Sequence, residues 1–189
     1  EFLSEIINRC NQMTGLLAGS MSDDFGYNFI KMGRYLERAD MTTRITDVGC
    51  LNLLDGTRIE IQNYENILWM NVLRSLTGYQ MYRQNVQDRV RGEDVVNFLL
   101  KNRRFPRAVL HCLSEALSCC ELMPHNDETL RTIGQAIRTV DTDVISLLKE
   151  SKLHDYIDDI QLDLADINNS IATSWFGYQA SEDILEQIE

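Results

Sequence analysis

An all-α fold, an antiparallel up-and-down bundle of about six or seven helices, is what this 189-residue chain predicts. Three observations lead to it. Apolar residues recur at steps of three and four along the chain, and no alternating Val/Ile/Thr run bounded by turn residues occurs. Two prolines, ten glycines and no Gly/Ser tract leave no candidate for a flexible linker. With 44% hydrophobic and 25% charged residues the composition is that of an ordinary soluble domain, long enough for one sizeable core. A single helical-bundle domain over 1–189 is therefore expected.

Phe2, Ile6, Cys10, Met13 and Leu17 share helical spacing and define a first helix, loosened at its end by Gly15 and Gly19. Ser22 followed by Asp23 and Asp24 is a helix start, because the serine hydroxyl caps free N–H groups and the acids complement the dipole. The second helix then runs to about Leu54, where Asp55-Gly56 stops it. A third is expected from about Ile59 to Val86, apolar on most sides through Ile61, Ile67, Leu68, Trp69, Val72, Leu73 and Leu76, and so central and largely buried. Gly92-Glu93-Asp94 opens a short fourth helix ending near Lys101. Pro106 suits the first turn of a fifth, which Pro124 ends. Asp127 begins a sixth, through about Leu148. In the last helix, from near Ser151, Leu153, Ile157, Ile160, Leu164, Ile167, Ile171, Ser174 and Tyr178 follow steps of four and three, a bundle seam.

Charge and cysteine usage exclude several classes. The net charge of −11 is concentrated late: residues 1–140 hold 17 acids and 16 bases, residues 141–189 hold 12 acids against Lys149 and Lys152. Such a chain repels phosphate backbones, so no nucleic-acid partner is expected. No apolar run reaches the roughly 20 residues that span a bilayer, so no membrane partner is expected either. Five cysteines (Cys10, Cys50, Cys112, Cys119, Cys120), without CxxC or zinc spacing, read as buried reduced thiols in a cytoplasmic protein. The opening Glu1-Phe2-Leu3-Ser4, with no initiator Met and no signal pattern, reads as a trimmed start.

The residues that carry chemistry gather on the second helix. On a wheel of about 100° per residue, Phe25, Phe29, Met32, Leu36, Ala39, Cys50 and Leu54 share one side. Ile30, Met41, Ile45 and Val48 share nearly the opposite side, with Arg34, Glu37, Arg38 and Arg44 among them. Lys31, Tyr35, Thr42 and Thr46 form a third strip open to water. The helix is thus expected to pack on two sides, with the charges inside one packing face. Arg34 reaches Glu37 one turn on, and Asp40 reaches Arg44. A carboxylate among apolar neighbours must be paired, so Glu37 is expected to hold an arginine. Two readings follow: a polar network that fixes helix register, or a tuned carboxylate, Glu37 as catalytic group, beside an arginine pocket for an anion. Arg103, Arg104 and Arg107, expected at a helix N-terminus, are a second anion candidate, with pairing to the acidic last helix as the alternative.

Other constellations point to nothing. Asp155, Asp158, Asp159, Asp163 and Asp166 lie opposite the last helix's seam and read as a solvated face, not a metal site. No Glu-x-x-His pair suggests a di-iron bundle. His111, His125 and His154 are scattered, and no nucleophile elbow or phosphate-binding glycine loop occurs. Neither metal nor cofactor is expected. Trp69, Trp175 and the Tyr79/Tyr82 pair read as core or interface.

Three stretches, GRYLERADMTTRITDV at 33–48, WMNVLRSLTGYQMYR at 69–83 and VVNFLLKNRRFPRAVLHCL at 95–113, together resemble the bacterial alpha-E domain family. The resemblance is strong over about 22–123 and weaker beyond. It implies that Arg34, Tyr35, Glu37, Arg38, Ala39 and Asp40 are signature positions, with Trp69, Arg74, Phe105, Pro106 and Arg107 as companions. Members usually carry the motif twice, which implies that this chain is the C-terminal half of a longer two-repeat protein. A cognate helix surface would then be uncovered, and self-association into a homo-oligomer through it is a hypothesis. The family's members are generally encoded beside, or fused to, ATP-grasp ligases and transglutaminase-like proteins. The resemblance therefore implies a non-catalytic scaffold or docking module for an ATP-grasp peptide or amide ligase. The alternative is an enzyme or ligand-binding domain in which Glu37, with Arg34, Arg38, Arg104 and Arg107, holds a carboxylate or phosphate.

Overall fold

A computed structural model describes residues 2–54, 65–141 and 152–177. These residues form eight helices, with no strand among them: α1 (Phe2–Ser20), α2 (Phe25–Leu54), α3 (Glu65–Ser75), α4 (Tyr79–Asn85), α5 (Gly92–Lys101), α6 (Val109–Glu121), α7 (Asp127–Val140) and α8 (Leu153–Phe176). α2, α6, α7 and α8 close a four-membered ring in which α2 packs on α6, α6 on α7, α7 on α8 and α8 back on α2. α3 and α5 pack beside α2, α5 also against α6, and α4 packs on α3.

The ring is held by apolar stripes that the sequence periodicity made visible. From α8, Leu153, Ile157, Ile160, Leu164 and Ile167 are buried; Ile133 and Ala136 meet them from α7, and Leu113, Ala116 and Cys120 complete the core from α6. Side-chain hydrogen bonds fix the ends. The Tyr156 hydroxyl donates to the Val140 carbonyl at 2.9 Å, and the Trp175 indole N–H donates to the Pro124 carbonyl at 2.7 Å. Tyr178 of the expected seam lies outside the described residues, as does the expected sixth helix beyond Asp141.

Several expected boundaries shift, each for a local reason. Asp24, not Ser22, caps α2, accepting the Tyr27 N–H on Oδ1 at 3.1 Å. The expected third helix is two. Gly78 N–H bonds the Leu73 carbonyl at 2.7 Å and Thr77 N–H bonds the Arg74 carbonyl at 2.9 Å, with Thr77 at φ 54°. That is a Schellman stop with the left-handed position occupied by threonine and the glycine one residue later. Gly78 sits there because the Phe105 ring occupies its space: a Cβ would lie 2.8 Å from Phe105 Cζ. α3 is also less central than its composition suggests, since Ile67 and Leu68 are exposed and only Trp69 and Leu73 of the helix are buried. Residues 59–64 of that expected helix lie outside the described ones.

Pro106 does not open α6. The Asn102 side chain accepts the N–H groups of Arg104 and Phe105 at 2.9 and 2.8 Å, turning the chain before the proline, and α6 begins at Val109. Arg103, Arg104 and Arg107 therefore lie in the turn that precedes the helix. Gly92–Lys101 forms as expected, with Gly92 pressed on the Trp69 indole.

α1 stands apart. None of its side chains is buried, and Phe2, Leu3, Ile7, Met13 and Leu16 are each more than half exposed. Cys10 on it is exposed, which corrects the expectation of buried thiols for that residue; Cys112, Cys119 and Cys120 are buried. Burial pushes the Cys112 thiol up to about 12 and that of Cys120 up to about 11, so both stay protonated and inert at neutral pH. No helix among the described residues is long and apolar enough to cross a membrane.

Candidate functional site: the three faces of α2

Successive residues of α2 are about 100° apart, so the signature segment 34–40 is dealt out to three neighbours. Leu36 and Ala39 enter the core, Ala39 with no exposed surface. Tyr35 and Arg38 turn toward α6. The Arg38 guanidinium lies 5.7 Å from the Tyr35 ring centre, and His111 meets the same ring edge-on at 6.1 Å. Burial, then the Glu115 carboxylate, hold the Tyr35 phenol above its usual range. Lower on this side, the Thr42 hydroxyl donates to the Arg107 carbonyl at 2.7 Å, and that of Thr46 to the Thr42 carbonyl at 2.7 Å. Thr42 and Thr46 are buried, so the strip read as wet is wet only at its Lys31 and Tyr35 end. Threonine hydroxyls satisfied by nearby carbonyls pack like short apolar side chains.

The third face corrects the central expectation. Glu37 is exposed, not buried, and Ile30, Met41 and Val48 on the same side are exposed as well, while Ile45 is half-buried against the core. Ile30, Arg34, Glu37, Met41 and Arg44 follow steps of four and three along an outer strip that no described helix covers. The wheel correctly showed a second apolar side; what it could not show is that this side faces outward. Asp40 and Arg44 pair as expected, at 2.8 Å and partly exposed, so solvent screens the interaction. Arg34 and Glu37 make no ion pair among the described residues.

Beside this strip α2 and α8 enclose an open groove of about 360 Å³, lined by Gly33, Leu36, Glu37, Asp40 and Arg44 on α2 and by Gln161, Leu164, Ala165 and Asn168 on α8. Arg38, Arg104 and Arg107 do not line it. Arg104 is exposed in the turn before α6, Arg107 is half-buried there beside Thr42, and Arg74, exposed near the end of α3, lies 5.4 Å from the Tyr79 ring centre. The expected cluster is thus divided: Arg44 lies in the groove, Arg38 and Arg107 both act on the Cys112 thiol, Arg104 is in the exposed turn and Arg74 at the end of α3.

One feature of the groove gave no signal in the wheel. Gly33 sits mid-helix, where glycine is about 0.8–1.0 kcal/mol worse than alanine, yet a Cβ there would touch nothing within 4 Å. Nothing in the chain's own packing requires this glycine. By contrast Gly49 and Gly92 are pressed by Trp69, and Gly78 by Phe105.

The family model for Alpha-E, described as a predicted alpha-helical domain with a conserved ER motif, matches residues 1–176. The chain belongs to the Alpha-E family. Its one Glu-Arg dipeptide is Glu37-Arg38. No curated protein and no solved structure matches the chain.

Two consequences of the geometry are measurable. Because Glu37 is exposed, Glu37→Gln is expected to change unfolding free energy by no more than about 0.5 kcal/mol, against about 3–5 for a broken buried pair. A urea titration giving a loss in the higher range would return Glu37 to the buried class. At the far end of α2, the Asp47 carboxylate meets His154 Nδ1 at 2.8 Å, while Asp158 lies 3.6 Å from Nε2. The bond to Asp47, then its charge and that of Asp158, raise the His154 pKa above its ordinary 6.5. A raised folded-state pKa stabilises fully below the unfolded value, and the contribution is lost as pH rises through the folded one. The stability gap between wild type and His154→Gln should therefore be widest below about pH 6.5 and close at higher pH. A His154 NMR titration midpoint at or below the ordinary value would contradict this.

Proposed function

We propose that this Alpha-E domain is a non-catalytic docking module whose outer α2 strip and α2–α8 groove receive a helix of an ATP-grasp ligase-type partner. In this reading the helices of the ring run antiparallel in up-and-down order, and Glu37-Arg38 is the family's ER motif. The observation that carries the reading is Gly33. A helix tolerates a mid-helix glycine at a cost in stability, and an open position over it suits the close approach of a second backbone. Around it, apolar Ile30 and Met41 alternate with Arg34, Glu37 and Arg44, so a partner helix finds contact area at the centre and charges that set its register.

Arg38 has a structural task in this reading: it lies over Tyr35 on the α6 side, so the two residues of the motif act on different neighbours. The alternative, an anion-binding or catalytic site on Glu37, would need Arg34, Arg38, Arg104 and Arg107 to converge with it, whereas the groove is lined by Arg44 alone among the arginines.

Gly33→Ala separates the two. It is expected to raise the stability of the free domain by about 0.5–1 kcal/mol and to weaken binding to an ATP-grasp ligase-type partner at least about tenfold, since an added methyl obstructs the closest approach. Titration calorimetry with the purified ligase gives the second number and urea unfolding the first. Unchanged binding, together with the gain in stability, would remove the docking role from this face.

A further inference from the structure

Two uncovered apolar features belong to the same chain: the stripe on α1 and the strip on α2. On α1, Leu3, Ile6, Cys10, Met13 and Leu17 alternate at steps of three and four, widened by Phe2 and Ile7, while Ser4, Asn8, Asn11 and Gln12 take the other side. A helix of 19 residues with Gly15, Gly19 and two asparagines is marginal in water on its own, so the stripe calls for a cover.

We propose that α1 of one copy docks antiparallel on the α2 strip of a second copy, and reciprocally, so that the chain forms a two-fold homodimer. This rests on the reading of that strip as a docking face and names its occupant in the isolated protein.

The two surfaces fit in length, period and charge. Residues 3–17 and 30–44 each rise about 21 Å along a helix. Laid antiparallel with Met13 over the open Gly33, Ile6 falls level with residue 40, one residue or about 1.5 Å of rise from Met41, and Leu17 one residue from Ile30. The same register sets Arg9 beside Glu37, a carboxylate without an ion pair among the described residues. Arg9 is exposed and pairs within α1 with Glu5 at 2.6 Å, so it can turn to the new partner at little cost.

Area is also adequate. Five large apolar side chains of the stripe and its flanks, Phe2, Leu3, Ile6, Ile7 and Met13, are exposed, and at roughly 100 Å² each the two α1 helices alone bring about 1,000 Å², to which the covered α2 surfaces add toward the roughly 1,200 Å² at which specific interfaces begin. A membrane fits less well, because the stripe is flanked by one acid and one base on a chain of net charge −11, which anionic headgroups repel. The chain's own α2 is not the occupant either. The connection is held by Met21 N–H on the Leu17 carbonyl, Asp24 N–H on the Ser22 carbonyl and the Asp24 cap, and in that arrangement α1 buries nothing. Both halves of a self-complementary contact on one chain close as a two-fold pair.

Light scattering on the full chain over a wide concentration range, with Ile6→Glu, Met41→Glu and an equimolar mixture of the two, provides the test. The wild type should show twice the mass of one chain. Each variant, folded by circular dichroism, should show the mass of one chain where the wild type is dimeric, a weakening of at least about 100-fold. The mixture should recover a dimer, because the α1 of one variant and the α2 of the other remain intact. A monomeric wild type overturns the proposal and leaves α1 to its own α2 or to another partner. A dimer that survives Met41→Glu overturns it in favour of α1 pairing with α1, and one that survives Ile6→Glu removes α1 altogether. If the wild type is monomeric yet binds the ligase, and Met41→Glu abolishes that binding, the docking face stands and only its self-occupancy fails.

Discussion

Trp69→Ala is expected to destabilise the domain by about 3–5 kcal/mol, the range for deleting a fully buried large aromatic side chain. Trp69 has no exposed surface. Its indole is what joins three helices: Gly49 of α2 and Gly92 of α5 both lie against it, and a Cβ on Gly92 would be 2.6 Å from Nε1. The two glycines and the tryptophan therefore form one packing unit drawn from three separate stretches of sequence. Its loss leaves a cavity that these elements cannot close without moving α2 against α5. The companion variant Gly92→Ala overpacks the same site, at about 1–3 kcal/mol. Combining it with Trp69→Ala should recover most of that second loss, because the added methyl then enters the space the indole left. Urea unfolding of the two single variants and the double variant gives all three numbers. A Trp69→Ala cost below about 1 kcal/mol would be that of a surface contact and would take Trp69 out of the core.

Helices with one clean apolar stripe were legible in the sequence, because a stripe at steps of three and four has only one way to be buried. α8, with Leu153 to Ile167 inward, and α5, bounded by Gly92 and Lys101, are of that kind. What escaped depends on contacts between distant residues. The break at Thr77-Gly78 carries its glycine one position late, since the Phe105 ring and not the left-handed turn demands it. The start of α6 was displaced by the Asn102 side chain, which takes two N–H groups before Pro106 is reached. The candidate site shows the deeper ambiguity. Ile30 and Met41 make an apolar side of α2 visible in the sequence, but hydrophobic pattern is the same whether a face is covered by its own chain or kept for another. The charges supplied the missing hint: Arg34, Glu37 and Arg44 interleaved with the apolar positions suit a face that also meets water. Gly33 was missed: the sequence shows a mid-helix glycine, but only the packing shows that nothing lies over it.

Phe105→Ala is expected to cost about 3–5 kcal/mol, and it decides what the arginine-rich turn is for. Phe105 is nearly fully buried, stacked on Phe98 with ring centres 5.0 Å apart, and fills the place of a Gly78 side chain. Stacking of this kind is worth about 0.5–1.5 kcal/mol beyond area. The Asn102 side chain holds the Phe105 N–H, so the turn, the ring and the α3–α4 junction form one unit. Arg104, the residue before it, is exposed, and Arg104→Ala should stay within about 0.5 kcal/mol of wild type. If the turn exists to seat Phe105, both results follow, and ligase binding by Phe105→Ala under conditions where it remains folded should match wild type, because the variant leaves the α2 strip intact. If the turn instead bound an anion, Arg104→Ala and Arg107→Ala would abolish a protective effect of phosphate on the wild type's thermal midpoint. An unchanged midpoint in phosphate, with Phe105→Ala strongly destabilised, assigns the segment to the fold and leaves α2's outer strip as the proposed docking surface.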